Sequence, residues 1–187
     1  MNTTVVVVVA VVVVIAILAI VAWLYTRQRR RGEVLREQFG PEYDRAVATY
    51  GQREEAEKAL EARAERVAAL HIRDMSRADS QKYAEEWRSV QSRFVDDPEH
   101  AIGDADHLCG QVMQARGYPM GDFEQRATDI SVDHPAVVEH YRAAHAIAQR
   151  ADRGDSSTEE LRQAMVHYRT LFQDLIETRE PARAERS

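Results

Sequence analysis

The sequence predicts an all-α protein with one N-terminal transmembrane helix, a charged stalk helix, and an antiparallel helical bundle of about four long helices plus a short one. Three observations carry this. Val5 to Leu24 is an unbroken run of twenty apolar residues, about 30 Å long as a helix, which is the thickness of a bilayer's hydrocarbon core. Four later segments each couple a capping residue to an apolar stripe at helical spacing. After residue 31 there is no β-branched or alternating run that would make a strand.

The apolar run comes first. Nine of the residues from Val5 to Val14 are valine. In water such a run is β-prone, but a lone span in lipid must satisfy its own backbone hydrogen bonds and is helical. Trp23 and Tyr25 mark its C-terminal edge, where amphipathic rings favour the headgroup layer. Arg27, Arg29, Arg30 and Arg31 follow at once. These six residues are the expected membrane-interface set. A cleaved signal peptide would carry its charge before a shorter apolar run and a small-residue site after it. The sequence therefore predicts an uncleaved anchor. The positive-inside rule then places the N-terminus outside and the C-terminal domain in the cytoplasm, as a single-pass protein of the cell membrane.

Charge separates the anchor from the rest. The first 31 residues hold four arginines and no acid, while residues 32–187 hold 21 basic and 31 acidic side chains, a net −10. The arginine collar attracts anionic headgroups and the acidic remainder is repelled by them. Nucleic acid, which needs a basic face, is excluded as a partner. Cys109 is the single cysteine, so no intrachain disulfide exists, which suits a reducing compartment.

Glycine and proline divide the remainder into helices. Residues 1–31 form the anchor and its collar, 32–75 charged stalk helices, 76–177 the bundle, and 178–187 a disordered tail. In the stalk, Ala56, Leu60, Arg63, Val67 and Leu70 follow a thin 4-3-4-3 seam, and Gly51 breaks the segment. Ser76 opens the first bundle helix, with Asp79 as a capping-box variant and Tyr83, Trp87, Val90 and Phe94 as its stripe. Asp97-Pro98 opens the second, which buries Leu108, Cys109 and Val112 among others. A short helix spans roughly Asp122 to Ile130. The next opens at His134-Pro135 and buries Val137, Val138, Tyr141, Ala144 and Ala148. The last opens at Ser157 with Glu160 as its capping-box partner, and Leu161, Met165, Tyr168, Phe172 and Leu175 form its stripe.

Few side chains suggest chemistry. His134, His140 and His145 are five and six residues apart, which points them away from a common helix face. No HExxH pattern appears, so neither a metal nor any other cofactor is expected. Asp104 and His107 make an i,i+3 surface pair. Cys109 lies on an apolar stripe and reads as a buried, inert thiol. No nucleophile elbow, P-loop or dinucleotide-binding glycine pattern is present, so no catalytic residue is assigned. The densest polar stretch is Asp129, Ser131, Asp133 and His134. Its carboxylates suit the cap of a helix beginning at Pro135, and the alternative is a corner that binds a partner.

The blocks LREQFGPEYDRAV, YAEEWRSVQSRFVDDP, VMQARGYPMGDFEQRATDISVDHPAVVEHYRAAHAIA and LRQAMVHYRTLFQDLI resemble a family of actinobacterial single-pass membrane proteins of uncharacterised function. The bias of 23 arginines against 2 lysines fits a GC-rich bacterial genome. The resemblance implies an anchor plus a helical domain and brings no activity. The expected function is a membrane-tethered interaction or scaffold module with a protein partner, homo-oligomerisation being left open. The alternatives are an extracytoplasmic or secreted helical domain, and an enzyme whose site lies inside the bundle around Asp104, His107, His140 and His145.

Overall fold

A computed structural model describes residues 3–177, without the side chains of residues 3–11, 14, 21, 24 and 28. The tail predicted over 178–187 lies outside the described residues. Eight helices run in order: α1 (Thr3–Phe39), α2 (Pro41–Tyr50), α3 (Arg53–Ala68), α4 (Arg77–Arg93), α5 (Pro98–Arg116), α6 (Phe123–Asp133), α7 (Val138–Ala151) and α8 (Thr158–Ile176). Among the described residues there is no strand. The chain divides into two compact units, Met1–Glu57 and Lys58–Ser187.

In the first unit α1 is one continuous helix of 37 residues. Along its apolar part Val12, Val13, Ile15, Ile17, Leu18, Ile20 and Trp23 are each at least 50 % exposed. At about 100° per residue these positions occupy every side of the helix. Among the described residues no helix is long and apolar enough to cross a membrane. Much of the span expected over Val5–Leu24 falls on residues 5–11, 14, 21 and 24, whose side chains lie outside the described residues. Past the arginines the helix changes character, and Leu35 and Phe39 are buried together with Tyr43 and Ala46 of α2. Gly40, at φ 50, turns the chain into Pro41. Gly32 has a separate reason to lack a side chain, because a Cβ there would stand 2.5 Å from Glu57 Oε1. That carboxylate accepts the Tyr43 hydroxyl at 2.8 Å, so it has little freedom to move. Burial, then the Glu57 contact, raises the Tyr43 pKa. Gly51 adopts the left-handed conformation at the C-cap of α2 and ends it there, as its position predicts.

The second unit is a helical bundle. The short connections 94–97 and 152–157 set α4 against α5 and α7 against α8 as antiparallel neighbours. Helix α8 packs on α4, α5 and α7, and α5 packs on α4 and α7. Trp87, Ile102, Val112, Met113, Tyr141, Tyr168, Phe172 and Leu175 meet in one core. The Ser76, Asp97 and Ser157 caps fall where the sequence places them, and Asp122 adds a fourth. Ser76 accepts from the Asp79 amide, Asp97 from His100, and Asp122 from Gln125. Ser157 and Glu160 form a complete capping box. The Ser157 backbone and hydroxyl, followed by Arg150, hold Glu160 at about 2.

One element departs from expectation. Helix α7 begins at Val138 rather than Pro135, its N-cap is Val137, and no side chain caps it. Helix α6 runs on to Asp133, so Asp129, Ser131 and Asp133 belong to α6 and none of them caps α7. Their polar groups are engaged elsewhere, which removes the competition that would have ended α6 early.

The thin seam of the stalk is used as well. Ala56, Leu60 and Val67 are buried. Arg63 and Arg66, one turn apart on α3, reach α6, where Arg63 donates to Ser131 Oγ at 3.0 Å and Arg66 pairs with Asp129. The C-terminal half of α3 thus belongs to the same unit as the bundle.

Candidate functional site

Helices α5, α6 and α8 all bring their C-terminal ends to one region, and each end leaves carbonyls without helical donors. Arg116, the last residue of α5, is buried among them. Its Nη1 donates to the Leu175 carbonyl at 3.2 Å and to His134 Nε2 at 2.9 Å. Its Nε donates to the Arg73 carbonyl at 3.2 Å, and its Nη2 lies 3.8 Å from Asp74. A cation at a helix C-terminus also meets the negative end of the dipole.

The proton of His134 follows from this geometry. A guanidinium only donates, so Nε2 of the imidazole accepts, and the ring proton sits on Nδ1. Nδ1 then donates to Asp174 of α8. His134 is thereby held between a fixed cation and a carboxylate. Backbone ties complete the joint. The Arg73 amide donates to the Arg116 carbonyl at 2.9 Å, and Arg73 Nε donates to the Ala115 carbonyl at 2.7 Å. Gly117 closes α5 at φ 102, where a Cβ would meet the His71 carbonyl oxygen at 2.7 Å. Glycine is required there both for conformation and for space.

The polar stretch singled out in the sequence lies beside this joint and faces inward. Asp129 and Ser131 are 1 % and 0 % exposed, and His134 is 7 % exposed. Asp129 is bound by Arg66 and by Gln125 Nε2 at 2.9 and 3.0 Å. Ser131 donates to the Thr128 carbonyl at 2.7 Å. Asp133 accepts the Tyr118 hydroxyl at 2.6 Å. Three of the four residues are closed to solvent. Buried polar groups that are fully paired specify a joint between helices. The partners Arg63, Arg66, Arg116 and Asp174 carried no local signal in the sequence.

The side chains considered for a catalytic site find separate partners. Asp104 pairs with Arg93 of α4 rather than with His107, and His107 lies 3.1 Å from Gln111. Cys109 is fully buried and its thiol is pushed well up by burial. The interface residues of α1 are exposed. Arg27 covers the Trp23 ring at 5.3 Å, Tyr25 is 68 % exposed, Arg29 pairs with Glu33, and Arg30 and Arg31 face outward. Among the described residues no group of three or more His, Cys, Asp and Glu side chains could hold a metal ion.

His145 and His140 occupy unlike settings. His145 stacks on Phe123 with ring centroids 3.6 Å apart. Gln149 Nε2 lies 3.1 Å from its Nε2 and donates there, which leaves the proton on Nδ1, 4.0 Å from Asp106. Burial lowers the His145 pKa below its ordinary 6.5. Asp106, Glu124 and Asp152 oppose that shift, and Arg126 adds to it. A depressed histidine pKa means that the unfolded chain takes up its proton first as pH falls. The contribution is complete above pH 6.5 and declines as pH drops from there toward the folded value. Urea melts from pH 7.5 to 5.5 should therefore show a loss of stability that is smaller in His145→Phe, which keeps the stack. An equal loss in both proteins would assign the pH dependence elsewhere. His140, by contrast, faces His167 of α8, with Nδ1 atoms 2.8 Å apart. Burial and His140 lower the His167 pKa.

No protein-family model, curated protein or solved structure matches the chain.

Proposed function

We propose that the protein is a membrane-tethered helical interaction module. Helix α1 is the anchor, the N-terminus lies outside, and the helices after α1 work in the cytoplasm on a protein partner. The observation that carries this reading is the exposure of apolar side chains on every side of α1. A helix apolar all round requires an apolar medium or a complete protein sheath. The exposed Trp23, Tyr25 and arginine collar follow the order of a headgroup boundary. The resemblance to actinobacterial single-pass proteins points the same way and rests on the sequence blocks alone. An anchor confines the bundle to a surface and raises its effective concentration toward partners there. Two open clefts on the bundle's surface are available to such a partner. One is lined by Lys82, Tyr83, Glu86, Gln111 and Gln114, and the other by Glu99, His100, Asp104 and Asp152.

Alkaline phosphatase or a fluorescent protein fused after Ser187 tests the topology. The expected result is a fluorescent, phosphatase-negative product that stays in the membrane pellet after alkaline carbonate. Active phosphatase, or a mature chain starting beyond Leu24, would favour the extracytoplasmic or secreted reading. Recovery of the intact chain in the carbonate supernatant would remove the anchor itself.

A further inference from the structure

We propose that His140 and His167 form a two-histidine site for a divalent transition-metal ion, clamping α7 to α8. Both histidines stand at the edge of the helix pair, half-buried and outside the core. The two helices are antiparallel neighbours, which brings residues 27 apart in sequence into register. Their Nδ1 atoms are 2.8 Å apart, and the rings are tilted by 34° with centroids 5.1 Å apart. Only one hydrogen can occupy the line between two imidazole nitrogens, so at least one lone pair already points at the other ring.

The spacing is close to that of a metal's ligand pair. Bonds of about 2.0–2.1 Å at tetrahedral or right angles hold two nitrogens about 3.0–3.4 Å apart. The two Nδ1 atoms lie nearly on the line between the ring centroids, so each ring must pivot by about 35–45° before both lone pairs converge on one ion. Neutral imidazole is the ligating form, and the setting of His167 favours it. Two imidazoles select nickel, copper or zinc over magnesium and calcium, which require oxygen ligands. With two protein ligands the remaining coordination positions are filled by water, so binding is of moderate strength. Because the ligands come from two helices, the ion binds the folded bundle and not the separated helices.

The experiment uses the full chain, purified in detergent without a histidine tag. Thermal melts are followed by circular dichroism with Ni²⁺, Zn²⁺ or Mg²⁺. The melting temperature should rise by several degrees with Ni²⁺ and Zn²⁺ and stay fixed with Mg²⁺. Calorimetric titration should give one ion per chain at this site. His140→Gln and His167→Gln should each weaken Ni²⁺ affinity by about tenfold or more, a difference of about 1.4 kcal/mol, while His107→Gln leaves it unchanged. Paramagnetic resonance of Cu²⁺ on the unaltered chain should show two imidazole nitrogens, a readout that holds even if a variant folds poorly. No rise with Ni²⁺, an Ni²⁺ affinity in His140→Gln and His167→Gln as high as in the unaltered chain, or a Cu²⁺ spectrum with fewer than two nitrogens would overturn the site and leave a proton-sharing pair.

Discussion

Arg116→Met should lower the stability of the bundle by about 3–5 kcal/mol, the usual cost of removing one partner from a buried charged network. Methionine fills much of the space, so the loss comes from polar groups left behind rather than from a cavity. The Leu175 and Arg73 carbonyls each lose a donor. His134 loses the contact that fixes its tautomer, and Asp174 then faces a ring free to reorient. Urea unfolding at pH 7 measures the change. Arg116→Lys should recover only part of it, because an ammonium cannot span the imidazole, the Leu175 carbonyl and the Arg73 carbonyl from one planar group. A loss below about 1 kcal/mol for Arg116→Met, the scale of an exposed pair, would show that the joint is wet and replaceable.

Trp87→Ala should cost about 3–5 kcal/mol, in the range of buried aromatic truncations. Trp87 is 5 % exposed and stacks on Phe172, with ring centroids 4.6 Å apart and planes 16° from parallel. The pair ties α4 to α8 at the centre of the core. Among the described residues the Trp87 indole N–H is buried with no acceptor. An unpaired buried donor costs about 1–3 kcal/mol, which predicts a second, opposing result. Trp87→Phe keeps the stack, removes the unpaired donor, and should be much milder than Trp87→Ala. Melting curves of the two variants check this. Equal destabilisation by both would show that indole volume, rather than stacking, is what the core requires.

The parts of the fold that were legible in the sequence are those set by neighbours three or four residues apart. Ser76, Asp97 and Ser157 announce their helices because a cap and its amide lie within one turn. The stripes through Trp87 and Phe172 are legible for the same reason. Helix α6 runs past the expected end at Ile130 because its last turn is stabilised from afar. Asp129 looks like a surface cap until Arg66, 63 residues earlier, is seen to bind it. Arg63 is the one polar member of the stalk's apolar seam, and it donates to Ser131, 68 residues on. Arg116 gave no signal at all, since an arginine in the last turn of a helix is ordinarily a solvated end. His167 carries no signal in the sequence, because periodicity along one helix says nothing of a facing ring on another.

The unbroken length of α1 has a mechanical consequence. Its apolar end and the buried face formed by Leu35 and Phe39 belong to one rod, with no glycine in the left-handed region and no proline between them. A helix of 37 residues is about 55 Å long, and over that length it twists and tilts nearly as a solid shaft. Turning the apolar end by one residue's worth of rotation, about 100°, would drag Gly32 from the Glu57 carboxylate and Phe39 from its burial. The rotational setting of the apolar end is therefore geared to the packing of α2. Two glycines inserted among Arg29, Arg30 and Arg31 would act as a slipping clutch, leaving both ends in place and breaking the gearing between them.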